Sequence, residues 1–265
     1  MTTGNKAFEQ LAENGWQIID RNYGKQIALD LFQEEINSLS NVLVSSPVLL
    51  KEHIIQSGGN KSPYVKSLEK KFYDKGWNKD NINITRKTSF KYLDISHNTQ
   101  ATSHEVDHLV VNKNNKCIAM EIEWNTHKAF LNRDTQFWQE AWNFGAIELA
   151  ILITRGEELM RNLKTNIVDF FANNLNDLQE LENRNFSQRM KDEGINFNFP
   201  TTNQINDIKK QLKNNKTLIE AVSNTFYSYK FGGTSSVVEL NKILDKGYLG
   251  RTPFIVIGAP DINRL

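Results

Sequence analysis

Beyond the leading Glu105, three acids stand inside one apolar stretch, residues 105–127, reading EVDHLVVNKNNKCIAMEIEWNTH. Asp107 lies in its first half; Glu121 and Glu123 lie in its second, beyond the polar run NKNNK. The pattern reads as two strands joined by a short turn. Strand side chains alternate faces, so Glu121 and Glu123 share one face while Ile118, Met120, Ile122 and Trp124 take the other. Positions two apart on a strand lie ~7 Å apart, near enough for both carboxylates to act on one ion and its water. Where Asp107 points depends on the turn. A two-residue turn at Asn114-Asn115 pairs Asp107 with Ile122 and aims it away from the glutamates. A three-residue loop, residues 113–115, pairs it with Glu121 on the same face, with Cβ atoms ~5 Å apart. Asn tolerates the left-handed conformation that such a loop needs. The expectation is an odd-length loop, or a bulge with the same effect.

Carboxylates held this close repel, and each raises the proton affinity of the other unless a cation sits among them. Hard oxygen donors favour Mg²⁺, with Mn²⁺ as a substitute, over zinc. The expected ligands are Asp107, Glu121 and the backbone carbonyl of Ile122. Glu123 beside that ion would orient an attacking water or take its proton. The bland alternative is three solvated acids on an edge hairpin. Against it, the odd-loop register puts Leu109, Val111, Cys117 and Ala119 on the carboxylate face. The strands should then be covered on both sides, with the acids collecting at one end.

Around this stretch, periodicity predicts one helix over residues 26–39 with an Ile27, Leu31, Ile36, Leu39 stripe, read as core rather than dimer interface. A second helix should start at Ser62 with Pro63 in its first turn and stop at Gly76. NINITRKTSFKYLDIS reads as a strand or hairpin. A helix carrying Phe130, Phe137, Trp138, Ala141 and Trp142 should close at Gly145. AIELAILIT is a buried strand, ELMRNLKTNIVDFFANNL a helix, SSVVELNKILDKG a capped helix and RTPFIVIGAP a final strand. Residues 173–215, rich in Asn, Gln, Lys and Glu, should form loosely packed peripheral helices. The expected fold class is α/β, a mixed central sheet of about five strands flanked by helices. One domain should span residues 1–265, with its core at about 85–172 and 248–260 and a helical and loop lobe at 173–235.

The chain has 265 residues, 39% hydrophobic and 24% charged, with one cysteine. That count excludes an intramolecular disulfide and a Cys-rich zinc site. No apolar run is long enough to span a bilayer, and the first ten residues lack a secretory core, so a cytoplasmic protein is expected and no membrane partner. Net charge is +1, yet residues 61–91 hold nine Lys or Arg against Glu69, Asp74 and Asp80. Such a belt suits phosphate contact, or is a solvated helix face. Lys61, Lys66, Lys70, Arg86, Lys87 and Lys91 are its phosphate candidates.

Asp107, thirteen residues, then Glu121-Ile122-Glu123 resembles the PD-(D/E)xK nuclease signature, with Glu123 in the lysine slot and Val106 where proline usually precedes the aspartate. The longer run MEIEWNTHKAFLNRDTQFW, followed by LAILIT, resembles type II restriction endonucleases of the BglII/BstYI group, in the E-x-E variant of BamHI-like enzymes. The resemblance is clearest over residues 88–154 and gives little over 173–230. It implies a restriction-endonuclease-like core and a Mg²⁺-dependent homodimer. Such an enzyme would cut double-stranded DNA at a specific, palindromic site and leave 5′-phosphates. Carried over by residue, it implies that Asp107 and Glu121 bind Mg²⁺, that Glu123 works on the water and that Asn125 touches substrate. Asn132, Arg133 and Asp134 match the segment after the strand; Arg133 either binds phosphate or, with Asp134, orients the helix. Glu69 is a candidate outer acid, the alternative being a solvated helix glutamate. Base reading is expected from loops, with FYSYKFGGTSS the best candidate through Tyr229, Lys230 and the Gly232-Gly233 pair, or else an ordinary turn before a helix capped by Ser235 or Ser236. Two competing readings are a repair, nicking or heteromeric nuclease on the same core, and a non-catalytic DNA-binding protein on a degenerate nuclease fold.

Overall fold

The computed structural model describes residues 3–57, 61–90, 92, 95–247 and 249–262; within these, the side chains of Thr3, Arg86, Thr88, residues 95–101, residues 128–130 and Asn132 lie outside the description. The elements in chain order are α1 (Thr3–Glu13), β1 (Gln17–Arg21), α2 (Gly24–Leu31), α3 (Gln33–Val44), a π-helical turn (Leu50–Ile55), α4 (Pro63–Tyr73), β2 (Asn78–Phe90), β3 (Ile95–Val111), β4 (Cys117–Ile122), α5 (Lys128–Asn143), β5 (Leu149–Arg155), α6 (Glu157–Asn174), α7 (Leu178–Glu182), α8 (Asn185–Asp192), α9 (Thr202–Lys213), α10 (Leu218–Phe231), α11 (Val237–Leu244) and β6 (Phe254–Ala259).

The strands form one mixed sheet in the order β1-β6-β5-β4-β3-β2. β4, β5 and β6 run parallel at its centre; β1 and β3 join antiparallel at either side, and β2 pairs antiparallel with β3. β5 and β6 are buried at every position. This is why LAILITR and FIVIGA are continuous apolar runs: a parallel strand covered on both faces has no polar side to show. Alternation splits the sheet between two cores. Ile118, Met120, Ile122, Ile151, Ile153, Ile255 and Ile257 pack against α1, α3, α4, α6 and α10. Ala119, Ala150, Leu152, Phe254 and Val256 pack against α5 and α11 through Trp138, Ala141, Val237 and Leu240. Among the described residues, no helix is long and apolar enough to cross a membrane.

Several elements start where local chemistry says they should. Ser62 caps α4, its hydroxyl accepting from the Val65 N–H at 3.2 Å, and Pro63 follows at the first turn. Ser236 caps α11 in the same way.

Three expectations are corrected. The sheet has six strands rather than about five: β1 reads QIIDR, an edge strand that is only half-buried and carries two apolar residues, too little for a periodic signal. The helix expected over residues 26–39 is two helices broken at Phe32, whose backbone leaves the helical region (φ −134°, ψ 34°) while its ring is fully buried. Neither Gly nor Pro marks that break; tertiary packing of Phe32 makes it. Leu31, assigned to the apolar stripe, is instead 37% exposed. Residues 173–215 are not loosely packed. Phe186, Met190, Phe197, Phe199 and Ile208 are buried in the larger core. Phe171, Phe197, Phe199 and Phe226 meet with ring centroids 5.1–6.1 Å apart, pairs that contribute roughly 0.5–1.5 kcal/mol each beyond burial.

Candidate active site

The β3–β4 turn sets the register. The ladder pairs Val111 with Cys117, Val110 with Ile118, Leu109 with Ala119 and His108 with Met120. This is the register of the odd loop. Asn112 closes it: its N–H bonds the Lys116 carbonyl, and its Oδ1 accepts from the N–H groups of Asn114 and Lys116. Asn115 takes the left-handed position at φ 57°. One step beyond the last pair, the Asp107 N–H reaches Glu121 Oε1 at 3.4 Å.

The expected common face for Asp107 and Glu121 is corrected by the other edge of β3. β2 pairs Asn78 with Leu109 and Asp80 with Val106, so Asp107 and His108 together oppose the single residue Lys79. That is a β-bulge, and it re-aims side chains beside a site. His108 goes fully buried against Phe72 and Tyr73 of α4. Asp107 lines a cleft with Lys61, Val65 and Glu123. Glu121 keeps the ordinary alternation and meets His104 and the α5 side instead. The acids therefore gather from two sides where β4 ends beside the middle of β3. Among the described residues, no three His, Cys, Asp or Glu side chains stand as a preformed metal cage.

The cleft has a volume of about 610 Å³ and is bordered by Ser57, Lys61, Ile122, Glu123, Asn125, His127, Asn198, Gln204, Tyr229 and Lys230, among others. Glu121 is 4% exposed and Glu123 9%. Burial, then the charges of Asp107, Asp134 and Glu123, push Glu121 well above the usual carboxylate range. Burial likewise pushes Glu123 up to about 7; a Thr126 hydrogen bond and the Arg133 charge oppose the rise, while Asp134 and Asp107 add to it.

Two further groups belong to this cluster. Asp134 of α5 is 1% exposed; its Oδ1 accepts from Arg133 Nε and Nη2 at 3.0 and 2.9 Å, while Oδ2 is buried with no hydrogen-bond partner among the described residues. Burial raises its pKa. His104 Nε2 lies 3.6 Å from both Glu121 Oε1 and Asp134 Oδ1, and its ring sits 4.5 Å from that of Phe137. Burial lowers its pKa. Sequence reasoning assigned His104 no role, because no pattern predicts the bulge that sets its face. Asp134 carried a signal, its place in the Asn132-Arg133-Asp134 run.

The remaining candidates fall out as follows. Glu69 is not a solvated helix glutamate: it is 8% exposed and ion-paired with Lys61. Burial lowers the Lys61 pKa, but the Glu69 hydrogen bond and the charges of Asp107 and Glu69 outweigh it, and the net shift is upward. Lys79 joins the same edge, 3.8 Å from Asp107 and 2.5 Å from Glu105. Asn125 lines the cleft, its Oδ1 buried and without a hydrogen-bond partner among the described residues. Arg133 is held by Asp134. Lys87 is exposed on β2; the Arg86 side chain and Lys91 lie outside the described residues.

FYSYKFGGTSS is corrected as a loop. Residues 226–231 are the last turns of α10, and the loop begins only at Gly232. Tyr229 borders the cleft, its hydroxyl donating to Asp207 at 2.6 Å. Lys230 is corrected as a DNA contact. Its ammonium donates to the carbonyls of Ile54, Ile55 and Gln56 at 2.5, 3.2 and 2.6 Å, so its three protons are already used. Burial pulls its pKa down to about 7.

A mixed sheet flanked by helices, with acids gathered where β4 ends beside β3 and next to a cleft, is that of a protein of the restriction-endonuclease-like fold. The family model described as "Restriction endonuclease BglII/BglIII" matches residues 16–259, nearly the whole chain. The chain belongs to that family: it is a restriction endonuclease, a nuclease that hydrolyses DNA. A comparison with curated proteins gives no match.

Proposed function

We propose that this protein is a type II enzyme that hydrolyses double-stranded DNA at a specific, palindromic site as a Mg²⁺-dependent homodimer, leaving 5′-phosphates. The observation that carries this reading is the convergence of Asp107, Glu121 and Glu123 at the C-terminal end of β4, with Asp107 and Glu123 lining the cleft and Glu121 buried behind them, its Oε1 reached by the Asp107 N–H. The donor set fits a hard divalent cation. It is all oxygen, and its buried carboxylates repel one another, which a cation offsets. Asp107, Glu121 and the Ile122 carbonyl would hold Mg²⁺, with substrate phosphate completing the set. When bound, the ion supplies charge stabilisation for phosphoryl oxygen and acidifies water.

The chain's own residues divide the remaining work. Glu123 orients the attacking water in line with the phosphorus and takes its proton. His104, 3.6 Å from both Glu121 and Asp134, bridges the two carboxylates between β3 and α5. Asn125 contacts the substrate at the cleft wall. Lys61, Lys87, Arg86 and Arg133 remain phosphate candidates, with Lys61 the best placed because it lines the cleft beside Asp107. Glu69 acts as an outer acid by holding Lys61. Two-fold symmetry would set one such site on each strand of a palindrome.

The test is plasmid cleavage in Mg²⁺ against Ca²⁺, with Glu121→Ala as control. Discrete fragments with 5′-phosphate ends that vanish in E121A support the reading. Single-strand nicks favour a repair or nicking enzyme on the same core. DNA binding without cleavage under either ion favours a non-catalytic protein.

A further inference from the structure

Arg155, the last residue of β5, is 0% exposed, and among the described residues no carboxylate pairs with it. A buried guanidinium without a counter-charge is costly, so what it holds is informative. Nε donates to the Ser235 carbonyl at 3.1 Å and Nη2 to the same carbonyl at 2.5 Å; Nη2 also meets the Thr234 hydroxyl, and the guanidinium lies 5.1 Å over the Phe231 ring. All three partners belong to the end of α10 and the turn before α11. That turn needs Gly233 in the left-handed region at φ 68°.

The turn in turn grips the chain beyond β4. The Ser235 N–H donates to the Thr126 carbonyl at 2.7 Å, and Thr234 bridges His127. The Thr126 side chain hydrogen bonds the Glu123 carboxylate. Between them, Asn125 faces the cleft. A chain of contacts thus runs from a fixed central strand, through Arg155, to the segment that follows Glu123.

We propose that Arg155 is a positioning residue for DNA cleavage: by clamping the backbone at Thr234 and Ser235 it fixes residues 124–127, and through Thr126 it sets the Glu123 carboxylate. This rests on the reading of Glu123 as the group that works on the attacking water. Lysine cannot replace the fork, because one ammonium cannot bond Ser235 from two directions and reach Thr234 with the same geometry. The clamp does not touch DNA, so it acts on turnover and leaves binding alone.

The experiment uses the full chain and an oligonucleotide duplex containing its cleaved site. Single-turnover cleavage in Mg²⁺ is compared with DNA affinity in Ca²⁺ for Arg155→Lys, Thr126→Val, the double variant and Glu123→Gln. Thr234→Val is the milder second clamp variant should R155K not fold. A displacement of about 1 Å at the reacting group costs on the order of 10²-fold, so R155K should lose roughly 10–100-fold in cleavage rate with affinity unchanged within about twofold. The double variant should cut about as slowly as the worse single one, because both break one chain of contacts. Losses that multiply, a cleavage rate unchanged in R155K and T234V, or a loss that follows DNA affinity would each overturn the clamp. E123Q cutting at the parent rate would overturn the Glu123 reading, and the clamp's consequence with it. E123Q inactive with R155K unaffected would overturn the clamp alone.

Discussion

Replacing Glu123 by Gln should make the metal-free protein more stable while abolishing cleavage. Glu123 is 9% exposed, and burial lifts its pKa from 4.5 to about 7. The folded state thus holds a proton on this group between pH 4.5 and 7 where the unfolded chain does not. Fewer protons on the unfolded state mean that stability falls as pH rises through this window, and above pH 7 the full penalty of an ionised, buried carboxylate is present. About 2.5 pKa units at 1.36 kcal/mol each is at most about 3 kcal/mol. Gln keeps the shape of the protonated acid and carries no charge, so E123Q should gain up to about 3 kcal/mol at pH 8, several degrees in Tm for a chain of this size. The gain should shrink to nothing near pH 4.5. Thermal unfolding in EDTA at pH 5, 6.5 and 8, beside a plasmid cleavage assay in Mg²⁺, measures both halves. An E123Q protein no more stable than its parent at pH 8, or a gap that does not narrow with acid, refutes the burial argument. Full cleavage by E123Q refutes the assignment of the water to this residue.

Two further outcomes test the frame around the site. Asn115→Ala puts a Cβ-bearing residue without an amide at φ 57° and should cost roughly 1 kcal/mol in urea unfolding, whereas Asn115→Gly should be neutral or slightly stabilising; equal effects would mean that the odd loop does not depend on a left-handed residue. Lys230→Met strands three carbonyls and should lower stability by roughly 1–3 kcal/mol, while the salt dependence of DNA binding stays unchanged; a salt slope shallower by about one would restore Lys230 as a phosphate contact.

Much of the fold was legible because it rests on local rules. Ser62-Pro63, Gly145 and Ser236 mark helix ends by capping and turn chemistry, and LAILITR and FIVIGA mark strands covered on both faces. β1 and the break at Phe32 were not legible. The first is too short and too exposed to show a period, and the second is made by burying a ring. The 173–215 segment misled because its Asn, Gln, Lys and Glu outnumber a few large aromatics, and those aromatics do the packing.

At the site, the sequence by itself singled out the acids and narrowed the place of Asp107 to two turn lengths, of which the structure has the odd one. The 113–115 loop brings Asp107 beside Glu121, an outcome that the tolerance of Asn115 for a left-handed turn allows. Only the tertiary structure decided where those acids point and what joins them. The bulge opposite Lys79 arises between strands, so it aims Asp107 at the cleft without any local signature. Asp134 and His104 come together beside Glu121 by packing of α5 on β3, and Arg155 of β5 reaches across to the turn between α10 and α11. Lys230 shows the same limit from the other side: its charge and its neighbouring glycines suggested a phosphate contact, and a carbonyl cage 174–176 residues away in sequence had already taken its protons. Side-chain partners of that kind are set by the three-dimensional path of the chain, to which residue type and spacing alone are blind.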